Sequence, residues 1–155
     1  MTLYTLDTST FITAWNDHYP LDIFPAFWEY LDVLIQEGKV TCIEEVQREL
    51  ERKDDGVAQW ARQRADKLFC LLDQDVQMAT REVMARFPAL AKQRMNATIA
   101  DPFVVAVAIT KGCQVVTYEK SGSSQRPKIP DVCSAFGVKC YRLVDMMRQE
   151  GWRFR

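Results

Sequence analysis

Asp101-Pro102-Phe103-Val104-Val105-Ala106-Val107-Ala108-Ile109, closed by Gly112 and followed by Val115-Val116-Thr117-Tyr118-Glu119, decides the fold. Proline suits the first turn of a helix and glycine the position just past its end, so the first run predicts a very apolar helix over Phe103 to Ile109. Val115-Val116-Thr117 reads as a buried strand. A helix of that length runs roughly 13 Å at about 1.5 Å per residue. A short strand climbs about 13 Å in four residues at roughly 3.3 Å each. The chain therefore returns to the level of Asp101 near Tyr118-Glu119, and the two acids share one edge.

The same alternation extends outward. Leu3-Tyr4-Thr5-Leu6-Asp7 is a strand pattern, and Thr8, Ser9 and Thr10 offer oxygens to cap a helix containing Phe11, Ile12 and Trp15, which stops before Pro20. Phe24 to Gln36 carries Phe27, Leu31, Leu34 and Ile35 at helical spacing, with Gly38 as terminator. Lys39-Val40-Thr41-Cys42 is expected as a strand and Ile43 to Lys53 as a charged helix ended by Asp54-Asp55-Gly56. Val57 to Met95 is mostly helical by composition, with Phe69-Cys70-Leu71-Leu72 as a short strand. Lys139-Cys140-Tyr141 is the last strand and Leu143 to Glu150 the last helix. Strands alternating with helices predict an α/β fold with a mainly parallel sheet. With no internal repeat and no long linker, residues 1–155 are expected to form one domain.

The bulk numbers exclude several classes. A chain of 155 residues with 48% apolar residues can bury a real core. There is no apolar run of membrane-spanning length and no secretory signal pattern, so a cytoplasmic protein is expected. Five cysteines, Cys42, Cys70, Cys113, Cys133 and Cys140, show no C-x-x-C pairing and read as reduced core thiols. A formal charge of −1 announces no polyanionic partner, so any such contact must be local. His18 is the only histidine, placed on a surface loop, which argues against histidine acid–base chemistry. Carboxylates remain.

In an open parallel sheet, ligands bind beyond the carboxyl ends of the strands. Asp7 ends the first strand there, and Asp101 and Glu119 join it. On the helix after Cys42, Ile43, Val46 and Leu50 mark the buried face. Glu49 lies roughly 90° from its centre, whereas Glu44, Glu45 and Glu51 lie roughly 105–135° away and belong to a solvated face. Glu51 follows Glu49 closely in this ranking. Taken singly, each acid has an ordinary role: Asp7 and Asp101 as helix caps, Glu49 on a helix surface, Glu119 in a loop. Together, Asp7, Glu49, Asp101 and Glu119 form the oxygen-rich set that Mg²⁺ or Mn²⁺ prefers, which points to a metal-dependent nuclease.

These motifs resemble the PIN-domain nucleases, the fold of the VapC-type toxins of bacterial toxin–antitoxin pairs. Leu6-Asp7-Thr8-Ser9 is similar to the family's first motif, Glu45-Val46-Gln47-Arg48-Glu49-Leu50 to its second, and Ala100 to Ala108 to its apolar helix headed by Asp. Val115 to Glu119 resembles the strand that delivers the last acid. Lys128-Ile129-Pro130-Asp131-Val132-Cys133 with Phe136-Gly137-Val138 resembles an uncharacterised bacterial PIN-like subfamily. The departures are Glu119 where Asp is usual and a longer basic loop after it.

The resemblance implies a three-layer fold, a central mainly parallel sheet flanked by helices. It also implies a Mg²⁺- or Mn²⁺-dependent endoribonuclease with Asp7, Glu49, Asp101 and Glu119 as catalytic and metal residues. Ser9 and Thr117 would support the carboxylates, and Lys120, Arg126 and Lys128 in the loop Lys120–Pro130 would meet RNA phosphates. An antitoxin partner and a homodimer are implied as well. The tryptophans Trp15, Trp28, Trp60 and Trp152 read as core or interface. Two rival readings stand beside this one. A haloacid-dehalogenase-type phosphotransferase wants a second acid where Ser9 stands; a catalytically inert PIN-like interaction module would keep the fold without the chemistry.

Overall fold

Tyr4, Thr5 and Leu6 are consecutive and all buried, although neighbouring strand residues point to opposite faces. Both faces of the sheet are therefore covered, as a parallel sheet between helical layers requires. This is the architecture of the computed structural model, which describes residues 1–92 and 100–155. Strand β1 (Tyr4–Leu6) pairs in parallel with β4 (Gln114–Val116), Thr5 facing Val115. β4 pairs in parallel with β5 (Cys140–Tyr141). A second parallel pair joins β2 (Cys42–Ile43) to β3 (Phe69–Cys70), and a parallel bridge from Tyr4 to Val40 ties the pairs together.

The expected strand at Lys39–Cys42 shifts to Cys42–Ile43. Residues 39–41 still run beside β1, with Leu3 and Tyr4 donating to the Lys39 carbonyl at 2.8 and 3.0 Å, and Thr41 to that of Tyr4 at 3.1 Å. A single bridge is all the ladder these bonds allow.

Helix α1 (Thr8–Thr13) leaves β1 and runs into a π-helical turn at Ala14–His18. Helix α2 (Pro25–Gln36) buries Phe27, Trp28, Leu31, Leu34 and Ile35. The ring of Trp28 meets those of Trp15, Phe27 and Trp60 edge to face at 5.0, 5.0 and 4.9 Å, so this tryptophan cluster is core. Truncating so buried an aromatic costs about 3–5 kcal/mol. Helix α3 (Glu44–Lys53) follows β2, then come α4 (Asp55–Arg62), α5 (Ala65–Leu68), α6 (Gln74–Arg86) and α7 (Pro88–Lys92). The helical expectation ran on to Met95, and its last residues lie outside the described ones.

Helix α8 (Asp101–Lys111) buries Val104 through Ala108 on every side, and Gly112 closes it at φ 65°. Its neighbour α6 lays Val76, Ala79, Thr80 and Val83, one helical face, toward the core. Helix α9 (Ile129–Ala135), whose first two residues fell within the expected loop Lys120–Pro130 and whose remainder had no assigned element, precedes β5, and α10 (Leu143–Gln149) ends the fold. Because β1 and β4 are parallel, their carboxyl ends share an edge, with Asp7 following one and Thr117 the other. Helix α8 packs against both strands and feeds directly into β4, so it runs antiparallel to them and starts at that same edge. No described helix is long and apolar enough to cross a membrane.

Candidate active site at the carboxyl edge of the sheet

The sequence Asp7-Thr8-Ser9-Thr10 places an acid where β1 ends and three hydroxyls where α1 begins. Asp7 caps α1: its Oδ1 accepts the Thr10 backbone N–H at 2.9 Å. Ser9 Oγ lies 2.9 Å from both carboxylate oxygens, and the Thr10 hydroxyl lies 2.6 Å from Oδ1 and 3.0 Å from the Val116 carbonyl. From the other strand end, Thr117 Oγ1 donates to Oδ2 at 2.5 Å. Asp7 is 2% exposed. Burial pushes its carboxyl above the usual range, and the donors Thr10, Thr117 and Ser9 draw it back only in part. Its partners orient it without neutralising it.

Thr8, the next residue, reaches the other way. Its hydroxyl donates to Glu49 Oε1 at 2.5 Å, which ties α1 to α3. Glu49 is 2% exposed, so the choice of Glu49 over Glu51 on this helix agrees with its burial, Glu51 being exposed. The assignment of Glu45 to a solvated face does not hold. Glu45 is 7% exposed, because it stands one turn from Glu49 on the stripe that turns inward. Its Oε1 has no hydrogen-bond partner, and burial raises its carboxyl above the usual range despite Arg48.

Thr117 does double duty, since its Oγ1 also accepts the Glu119 backbone N–H at 3.0 Å. Glu119, half-buried, is held by the Ile129 N–H at the start of α9, 3.0 Å from Oε2. Burial first, then the charges of Asp7 and Asp131, raise its carboxyl, while the Ile129 N–H and Lys128 oppose them. Glu49, Asp7 and Glu119 are thus linked through Thr8 and Thr117 into one assembly. Asp101 is the first residue of α8 rather than its cap, which is Ala100; Pro102 follows. Asp101 is 8% exposed and opens the helix that begins at this edge.

Beside the site, residues the sequence reading set aside come into view. His18 Nδ1 lies 2.8 Å from the Tyr118 hydroxyl, with the rings 5.1 Å apart. The pair is 100 residues apart in the chain, so no local pattern announces it. Thr8 and Thr10 were visible as cap residues, but not as partners of the carboxylates.

The basic loop is built rather than loose, and shorter than expected, because α9 starts at Ile129. Asp131 Oδ2 accepts the N–H groups of Gly122 and Lys128 at 2.7 and 2.8 Å, and Ser123 and Arg126 exchange backbone bonds at 3.2 Å. Lys120 and Arg126 are exposed, and Lys128 is half-buried.

Among the described residues, none of Asp7, Glu49 and Glu119 enters an ion pair. No three His, Cys, Asp or Glu side chains among them form a ready-made metal group. Oxygen donors with uncompensated negative charge suit a hard divalent cation. Mg²⁺ in particular keeps several waters and takes one or two carboxylates plus substrate phosphates, rather than a closed protein cage. The residues present fit such a hydrated ion.

A family model described as a domain of unknown function (DUF4411) matches residues 4–154. No curated protein matches the chain in sequence. In structure the chain is similar to one in VapBC2 from Rickettsia felis bound to a DNA fragment from their promoter, with 15% identity and TM-score 0.55, covering 91% of this chain and 98% of that one. Similar too is one in DNA-bound VapBC from Salmonella typhimurium, at 16% identity and TM-score 0.56, covering 92% and 98%. A third is in FitAcB from Neisseria gonorrhoeae, at 18% identity and TM-score 0.51, covering 90% and 96%. The fold is PIN-like.

Proposed function

This chain belongs to the DUF4411 family, and from its PIN-like fold and charged sheet edge we propose that it is a divalent-metal-dependent endoribonuclease hydrolysing RNA phosphodiesters. The observation that carries the reading is Asp7: buried, oriented by neutral donors on both sides, and lacking a cationic partner among the described residues. Such a carboxylate is costly to bury unless a cation completes it.

Asp7, Asp101, Glu49 and Glu119 would hold Mg²⁺ or Mn²⁺ directly or through water. The bound ion would acidify a water for attack on phosphorus and offset charge on the phosphate oxygens. The chain's own groups do the rest. Ser9, Thr10 and Thr117 fix the Asp7 carboxylate, Thr8 fixes Glu49, and the Ile129 N–H fixes Glu119. Holding oxygens in place beforehand removes reorganisation from the reaction itself. Lys120, which directly follows Glu119, and Arg126 further along the same loop, both exposed, would contact phosphates, with half-buried Lys128 contributing less.

Residues 1–155 would act as one unit in the cytoplasm, as the toxin of a type II toxin–antitoxin pair with an antitoxin as partner and a homodimer as the working state. The likeness to VapBC and FitAcB chains supports the pairing with an antitoxin. An inert PIN-like module is the second reading, favoured by the lack of a preassembled acid group among the described residues. The test is cleavage of RNA and DNA with Mg²⁺, Mn²⁺ or EDTA by the wild type, Asp7→Asn and Asp101→Asn. Metal-dependent RNA cleavage lost in both variants is expected. Inert wild-type protein would leave the module.

A further inference from the structure

We infer that Cys133 and Cys140 form a reversible disulfide site, whose closing by a peroxide loosens the hold of α9 on Glu119. The two thiols stand on adjacent elements, α9 and β5, and share a side-chain hydrogen bond. Gly137, at φ 69°, turns the chain between them, and the Val138 N–H donates back to the Cys133 carbonyl at 2.9 Å. Their exposure differs. Cys133 is 1% exposed, whereas Cys140 is half-buried on β5, the outer strand of the order β1-β4-β5. The bond from the Cys133 thiol holds Cys140 below the ordinary thiol range, and it joins burial in pushing Cys133 above that range. Burial instead raises Cys42, Cys70 and Cys113, which makes them poor nucleophiles. Cys140 is thus the attacking sulfur and Cys133 the resolving one.

The oxidant is hydrogen peroxide. The Cys140 thiolate attacks one peroxide oxygen, the O–O bond breaks, and hydroxide leaves with the thiol proton as water, which gives a sulfenic acid. The Cys133 sulfur attacks that sulfur, and the sulfenic hydroxyl leaves with the Cys133 proton as a second water. Two electrons pass from the thiols to the peroxide, and a dithiol returns them by exchange. The consequence for the site follows from α9. Cys133 stands one helical turn after Ile129 on the same face, and the Ile129 N–H holds Glu119 Oε2 at 3.0 Å. Strand β5 is fixed by its pairing with β4, so closing the sulfurs beyond hydrogen-bond contact moves the short helix rather than the strand. Glu119 is fixed from the other side through its own N–H on Thr117, so the bond that spans the two bodies gives way. The disulfide itself is independent of the nuclease reading. Its effect on cleavage rests on that reading.

The test treats the full chain with hydrogen peroxide, blocks the remaining thiols and maps peptides by mass. Trypsin cuts after Lys128, Lys139 and Arg142, so the disulfide joins peptide 129–139 to peptide 140–142. That cross-link is expected in the wild type, reversed by dithiothreitol and missing from Cys140→Ser. Amide exchange at Ile129 is expected to accelerate at least about fivefold on oxidation, the loss of one hydrogen bond. RNA cleavage should fall by about tenfold in the oxidised wild type, as when an outer partner of a metal ligand is lost. Cys140→Ser should cleave alike before and after peroxide. No cross-link between these two peptides overturns the inference, and so does slower exchange at Ile129, which a mere staple would give. These two readings on the wild type decide the matter alone if Cys140→Ser fails to fold. Cross-linking with faster exchange in a protein that cleaves no RNA would remove the nuclease reading and keep this one. Metal-dependent cleavage indifferent to the cross-link would do the reverse.

Discussion

Thr117 Oγ1 donates to Asp7 Oδ2 at 2.5 Å and accepts the Glu119 N–H at 3.0 Å, so one hydroxyl registers two acids that the chain holds more than a hundred residues apart. The contact exists because β1 and β4 are parallel and end together. It makes Thr117 the joint between the first and last motifs.

Thr117→Val keeps the shape and removes the joint. The Glu119 N–H loses its partner, while Asp7 Oδ2 keeps Ser9 Oγ at 2.9 Å, so one group is left unsatisfied at a cost of about 1–3 kcal/mol of stability. Under the nuclease reading, cleavage should fall by about 10- to 100-fold, as when an outer partner of a metal ligand is lost. Chemical denaturation and single-turnover RNA cleavage measure the two effects. A variant as stable and active as the wild type would show that the hydroxyl holds nothing.

Asp7→Asn should separate stability from activity. Folding must bury an ionised Asp7 among neutral donors, and the direction of its shift shows that the charged form is disfavoured there. Asparagine still accepts the Thr10 N–H as a helix cap and carries no charge. In EDTA at neutral pH the variant should therefore melt above the wild type, by at least about 2–4 °C if the relief reaches 1 kcal/mol. Excess Mg²⁺ should raise the wild-type melting temperature and leave the variant nearly unmoved. A variant that melts lower in EDTA would mean the carboxylate is a structural asset rather than a cost held for function.

The basic loop makes a claim about salt. Replacing Lys120 and Arg126 by Ser removes two exposed charges, and for single-stranded RNA each phosphate contact contributes about 0.7 to the slope of log affinity against log salt. The slope should flatten by about 1.4 on that estimate. Lys128, half-buried with its backbone N–H bonded to Asp131, should contribute less. Fluorescence anisotropy with a short labelled RNA over a salt series reads both, and an unchanged slope would take the loop out of RNA binding.

Much of the fold lies openly in the sequence where one physical signal dominates. Helix α8 is legible because Pro102 and Gly112 bracket an apolar run, and β4 because Val115-Val116 follows at once. Asp7 is legible because a strand pattern stops there at hydroxyl residues. Helix α9 was hidden behind the charged and polar residues before it, although Asp131 accepting the Lys128 N–H is a helix-start pattern that Ile129-Pro130-Asp131 already carried. Glu45 was misread because helical periodicity was anchored on Ile43, Val46 and Leu50 alone. Helix α3 is covered from two sides, by α1 and α4, and that widens its buried stripe to a second acid. The links Thr8–Glu49 and His18–Tyr118 are tertiary, and no local spacing encodes them.

Gly122→Ala tests whether the loop's shape, apart from its charge, serves the site. A β-carbon at Gly122 would stand 2.1 Å from the Arg126 carbonyl oxygen, a backbone atom that cannot step aside without opening the Ser123–Arg126 turn. That turn and the Gly122 N–H bond to Asp131 Oδ2 fold the loop back on α9, whose first N–H holds Glu119. The strain is therefore expected to release the loop locally, leaving the melting temperature almost unchanged because the turn buries little apolar surface. Amide exchange at Ser123 and Arg126 should accelerate, and RNA affinity should fall although every cation of the loop remains. If exchange accelerates while affinity holds, the cations work from a free chain and the built turn has no part in recognition.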